Sequence, residues 1–163
     1  MIPNWLICGR SMVGNKIKVL LDTNILVDIL CEHDCLSTPA SAVIIQAIRD
    51  GKLEGALTTQ SIVDASYILS RMPGFSSGAF RNGILQIMNF VNIEYIHYFD
   101  VRDAILQPGR DFEDDVHYAH AISESCDMII TSDAEFRKNR NTAELPVLSP
   151  EEFVEKIRPA KSF

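Results

Sequence analysis

Ile17-Lys18-Val19-Leu20-Leu21 is a short run rich in branched apolar residues; it stops at Asp22-Thr23-Asn24, and Ile25 to Leu30 turns mostly apolar again. A run this short, closed by polar turn formers, reads as a buried strand feeding a helix. The alternation then repeats along the chain. Helices are predicted at 25–31, from Pro39 to about Gly51 on the stripe Val43, Ile44, Ala47 and Ile48, and at 61–69, 77–90, 101–106, 111–125 and 151–157. Strands are predicted at 54–58, 93–98, 128–131 and 147–148. Strands that alternate with helices throughout point to a parallel sheet covered on both faces. In such a sheet the chemistry sits just beyond the carboxyl ends of the strands. Asp22 stands at one such end. Its bland role is to cap the following helix, which Asp, Thr and Asn all favour.

With 163 residues the chain is long enough for one domain with a sizeable core, placed at 16–158. Residues 1–15, with Pro3, Gly9 and Gly14, read as a loose lead-in in which Met12 offers a second candidate start, and 159–163 as a tail. Apolar residues make up 47% and charged ones 23%, the balance of a soluble globular protein. A net charge of −7 argues against a broad electrostatic grip on nucleic acid, so any such contact must be local. No stretch approaches the roughly 20 apolar residues of a membrane span. Trp5-Leu6-Ile7-Cys8 is too short for a signal-peptide core, which gives a cytoplasmic expectation and no membrane partner. Cys31-Glu32-His33-Asp34-Cys35 lacks the second ligand pair that structural zinc requires, so its thiols are expected to be reduced and incidental.

Four acids change the picture. Asp22 and Asp133 each follow a buried-strand pattern and so belong on one edge of the sheet. Asp64 interrupts the apolar stripe of Ile62, Val63, Ala65 and Ile68, where a carboxylate is costly unless paired or metal-bound. Asp114, three residues after Asp111, could simply complement a helix N-terminus, and Asp115 is an equally good carboxylate by composition. Taken together, carboxylates converging on one edge repel each other, and a divalent cation relieves that repulsion. An all-oxygen set selects Mg²⁺ or Mn²⁺ over zinc. Such a site activates water and neutralises charge on a phosphodiester. Glycine-rich nucleotide loops and a serine nucleophile elbow are missing from the sequence. His117 and His120 are expected to be solvated helix residues.

The segments VLLDTNILVD, SIVDASYIL, DFEDDVHYAHA, DMIITSDAEF and LPVLSPEEF, in this order, resemble those of the PIN-domain nucleases. The resemblance implies a three-layer α/β/α sandwich around a mostly parallel sheet, with an acidic Mg²⁺ or Mn²⁺ pocket. Asp22, Asp64, Asp114 and Asp133 fall on the family's four acidic positions, with Asn24 and Ser132 as supporting polar residues. Asp64 stands where many members carry glutamate. Asp114 is preferred over Asp115 because the family's spacing from the acid to a later alanine ends on Ala121. Many small members are VapC-like toxins, which cut RNA until an antitoxin blocks the pocket. The implied activity is a metal-dependent endoribonuclease with an RNA substrate, an antitoxin partner and a homodimeric form. The alternative is a degenerate module of the same fold that binds RNA or protein without cutting. Arg71, Arg81, Arg110 and Arg137 are the candidate phosphate contacts, together with Lys138 and Arg140.

Overall fold

The computed structural model describes residues 16–31 and 39–157. The expected lead-in with Met12, most of the loop after the first helix and the C-terminal tail lie outside the described residues. Five strands form one sheet: β1 (Ile17–Leu21), β2 (Leu53–Thr58), β3 (Val91–Glu94), β4 (Met128–Ile130) and β5 (Val147–Leu148). Every pairing is parallel, and the order is β3-β2-β1-β4-β5. The chain builds outward from β1 to β3 and then returns to add β4 on the other side. The topological switch point therefore falls between β1 and β4, where open α/β sheets bind their ligands.

Alternation along the strands creates two apolar faces. Val19, Leu21, Leu57, Met128 and Ile130 face one layer. That layer holds α1 (Thr23–Leu30), α2 (Pro39–Arg49), α3 (Thr59–Leu69), α4 (Ser77–Ile87) and α8 (Pro150–Ile157). Leu20, Ala56, Ile129 and Val147 face the other, with Ala121 and Phe136 packed on them. This second layer holds α5 (Tyr98–Leu106), α6 (Phe112–Ser123) and α7 (Ala134–Arg140). The result is the expected α/β/α sandwich. Gly51, at φ +69°, makes the left-handed turn that ends α2 and starts β2.

Most elements fall where the pattern puts them, and one strand does not. The strand expected at 93–98 is β3, at Val91–Glu94. Its length is set by β2, whose Gly55 to Thr58 pair with Val91 to Glu94 and leave no partner beyond. His97 instead starts α5, and its backbone N–H donates 2.9 Å to Asp100 Oδ2. Cys31 is disulfide-bonded, so the expectation of a reduced thiol does not hold there; Cys126 is free and buried.

Candidate active site

Asp22 leaves β1 at the switch point and is 7% exposed. Its backbone N–H donates to Ile130 O at 3.0 Å, which extends the β1–β4 ladder by one rung. The carboxylate Oδ1 accepts from Thr23 N at 2.7 Å and so caps α1. Oδ2 accepts from Asn24 Nδ2 at 2.7 Å and from Thr131 Oγ1 at 2.6 Å. His117 Nδ1 lies 3.4 Å from Oδ1. Burial pushes this carboxyl up, but the contacts from His117, Thr131 and Thr23 outweigh burial and hold it below the usual range. Asp22 is thus a fixed, ionised carboxylate. It caps α1 from its place at the switch point.

Thr131 ties the two strand ends together. Besides donating to Asp22, its hydroxyl accepts from Asn24 Nδ2 at 3.0 Å and from Asp133 N at 2.9 Å. Asn24 Oδ1 in turn accepts from Ser132 N at 3.0 Å. Asp133 Oδ1 accepts from Glu135 N and Phe136 N at 2.7 and 3.2 Å, which caps α7. Asn24, Ser132 and Asp133 therefore share one frame with Asp22.

The N-terminus of α6 faces this frame. Asp111 is its cap, accepting from Glu113 N at 2.8 Å and Asp114 N at 3.3 Å. Asp114 is thereby free of the capping role that composition allowed it. Its carboxyl is pushed up to about 7, first by burial and then by the negative charges of Asp22, Asp111 and Asp133. Glu113 is also raised, by burial first, against a lowering from His117 and with further raising from Asp64, Asp22 and Asp111. Asp115, the rival of Asp114, points elsewhere. It is 4% exposed, accepts from Arg140 Nε at 2.8 Å, and takes the Gly109 N–H as well. Asp115 locks the α5–α6 loop to α7, and Asp114 is the member of the pair that faces Asp22.

Asp64 lies half-buried on α3, beside rather than within the buried line of Ser61, Ala65 and Leu69. Gln60 Nε2 holds both its oxygens, at 2.9 and 3.0 Å. It joins the group through Glu113, which feels both Asp64 and Asp22. Asp22, Asp114 and Asp133 thus form one electrostatic group, and Asp64 stands at its edge.

The arginines divide. Arg137 donates to Thr131 O at 3.2 Å and faces Glu152 at 3.7 Å, so it braces the end of β4. Arg140 belongs to Asp115. Arg110 is exposed and 3.4 Å from Glu135, Arg81 is exposed on α4, and Arg71 lies over the Tyr67 ring.

Both helix histidines are buried, which corrects the expectation of solvated side chains. Buried histidines need partners. His117 turns to Asp22, and its Nε2 has no hydrogen-bond partner among the described residues. His120 Nδ1 contacts Asp100 Oδ2 at 2.9 Å and its Nε2 contacts Glu94 Oε2 at 3.2 Å. Lys18 Nζ reaches Glu94 at 2.7 Å, and Ser123 donates to Asp100 at 2.7 Å. This second polar network anchors α5 and α6 to the sheet.

The donors facing the switch point are carboxylate oxygens, with Asn24 and Thr131 behind them. The negative field that makes Asp114 hold a proton near neutrality is the field that attracts a hard divalent cation. In its chemistry the set fits Mg²⁺ or Mn²⁺. Among the described residues no three acidic, histidine or cysteine side chains close on a single point, so ligation would need carboxylates to swing inward.

The sequence pattern of the PIN domain matches residues 18–135, most of the chain. The chain belongs to the PIN-domain family. Ribonuclease VapC1 of Aquifex aeolicus (strain VF5) is 27% identical over 147 residues, which cover 87% of this chain and 96% of that protein. Among solved structures, VapBC2 from Rickettsia felis, bound to a fragment of its promoter DNA, superposes with a TM-score of 0.59 at 15% identity, over 82% of this chain and 98% of that one. Mycobacterium tuberculosis VapC20, described as a Sarcin-Ricin loop cleaving toxin, gives 0.57 at 11% identity, over 72% and 92%. At these identities the structural matches speak for the fold alone.

Within this PIN domain, three contributors escaped the sequence reading. Thr131 is fully buried at a strand end, a position where a hydroxyl needs a partner, and that burial was the available signal. Glu113 and His117 flank Asp114 on α6, and nothing in a single sequence separates them from surface residues.

Proposed function

We propose that this PIN domain is a divalent-metal-dependent endoribonuclease and the toxin of a type II toxin–antitoxin pair. The reading is carried by one observation: Asp114 faces Asp22 and Asp133 across the switch point and is raised to about 7 by burial and their charge. A cation held by Asp22, Asp64, Asp114 and Asp133 would supply an activated water and charge neutralisation at the scissile phosphate. The chain's own residues do the positioning. Asn24, Thr131 and the Thr23 N–H fix Asp22 in one orientation, and Ser132 orients Asn24 through its backbone. His117 donates to Asp22 from within the core and excludes water from that side. Arg81 and Arg110, both exposed, are the phosphate contacts of this reading.

The curated relative's name, ribonuclease VapC1, supports RNA as substrate, and the VapBC2 assembly supports a protein antitoxin as partner. A homodimer and a cytoplasmic setting belong to the same reading; no described helix is long and apolar enough to cross a membrane. Calorimetric titration of the purified protein with Mn²⁺ tests the metal site directly. Saturable binding that weakens at least tenfold in Asp114→Asn is expected. No heat of binding, together with RNA retained on the protein uncut, favours the non-cutting module instead.

A further inference from the structure

On α3 an aromatic follows Asp64 along the same helix face, and a cation stands just past the helix end. Tyr67 is three residues on, so it rises about 4.5 Å above Asp64 at about 60° around the axis, and Arg71 lies in the turn just beyond Leu69, where α3 ends. Tyr67 is 62% exposed, and Val63 beside it is equally exposed. The Arg71 guanidinium carbon sits 3.4 Å from the centre of the Tyr67 ring. That distance is in the range of a close cation–π contact. Arg71 makes no ion pair among the described residues, whereas Arg110, Arg137 and Arg140 all face carboxylates.

Arg71 covers one face of the Tyr67 ring, and the pair together offers a ring plane, a guanidinium plane and a positive charge. It matches the two halves of a nucleotide, since a base stacks on a ring or guanidinium plane and the guanidinium edge takes a phosphate. The net charge of −7 means that RNA must be gripped locally, and this is a local grip next to one of the candidate acids. Its structural alternative is an ordinary pair of residues four apart that steadies the end of α3.

We propose that Tyr67 and Arg71 form a base-stacking subsite for single-stranded RNA, which holds a nucleotide beside the one being cut. The subsite rests on the ribonuclease reading and names how that substrate is held. Stacking needs an unpaired base, so the subsite selects single-stranded segments over duplex.

The test measures RNA affinity by fluorescence anisotropy in the full chain carrying Asp22→Asn, without cleavage to confuse the signal. The probes are a random-sequence pool of short single-stranded RNA and the same length of abasic strand. Tyr67→Ser should weaken binding of the RNA pool by about 5- to 150-fold, the range of base–aromatic stacking. Tyr67→Phe should bind as the parent does, and the abasic strand should not distinguish Tyr67→Ser from the parent. Arg71→Gln should lower the salt dependence by about one phosphate contact. Tyr67 is exposed, so all variants should keep the parent melting temperature. Equal affinity of parent and Tyr67→Ser, or equal losses on both strands, overturns the subsite and leaves the ribonuclease reading standing. A parent chain that binds neither strand, and a wild type that cuts no RNA, overturns both.

Discussion

Neutralising Asp114 should stabilise the metal-free protein, against the usual expectation for a change at a helix N-terminus. In the native state the carboxyl is raised from its ordinary 3.8 to about 7, by burial and by Asp22, Asp111 and Asp133. The native state therefore holds the proton more tightly than the unfolded chain, and stability falls as pH rises from about 4 to about 7. At one pH unit per about 1.4 kcal/mol, the gap from 3.8 to about 7 sets a ceiling of about 4 kcal/mol. The side chain is only half-buried, and solvent screening reduces this to about 1–2 kcal/mol. Asp114→Asn mimics the protonated form. Urea unfolding with chelator present should show wild type and variant nearly equal at pH 4, and the variant more stable by about 1–2 kcal/mol at pH 8. Mn²⁺ at pH 8 should stabilise the wild type and leave the variant almost unchanged. A variant that is less stable at pH 8 in chelator would refute the reasoning, because it would make Asp114 a helix-terminal acid rather than a repelled one.

Three other outcomes follow from the packing. His120→Ala should cost about 3–5 kcal/mol, since it leaves Asp100 and Glu94 facing each other in the core; thermal melting reads this directly. His120 is lowered by burial but raised overall by Glu94 and Asp100, so its stabilisation is complete below its ordinary 6.5 and fades as pH rises through its native value. Asp111→Ala should lose about 1 kcal/mol through the lost cap, read by denaturant unfolding. Arg140→Met should destabilise by about 3 kcal/mol or more by stranding the buried Asp115, measured by denaturant unfolding, while Mn²⁺ affinity stays within twofold.

The sheet was legible because its strands are short apolar runs closed by polar residues, and the end of β1 at Asp22 is the clearest of them. Parallel pairing followed from the alternation of elements, but the length of β3 did not, since β2 sets it from across the sheet. Asp114 and Asp115 could not be separated by helical geometry. They part only because Arg140, 25 residues later, claims one of them. The helix α6 itself was legible, and the burial of its histidines was not. Its buried line runs through Asp115, His117, His120 and Ala121, so apolar periodicity does not show which face is inside. The histidines are inside because Asp22, Asp100 and Glu94 meet them, and those partners are distant in sequence.

The most direct measurement follows cleavage and binding of single-stranded RNA together, in wild type and in Asp22→Asn. In the proposed site asparagine would remove a metal-binding carboxylate oxygen, and it adds no negative charge. The account predicts that wild type cuts with Mg²⁺ or Mn²⁺, that EDTA stops it, and that Asp22→Asn binds the same RNA without cutting. Cleavage that persists in EDTA, or in Asp22→Asn at the wild-type rate, would contradict it.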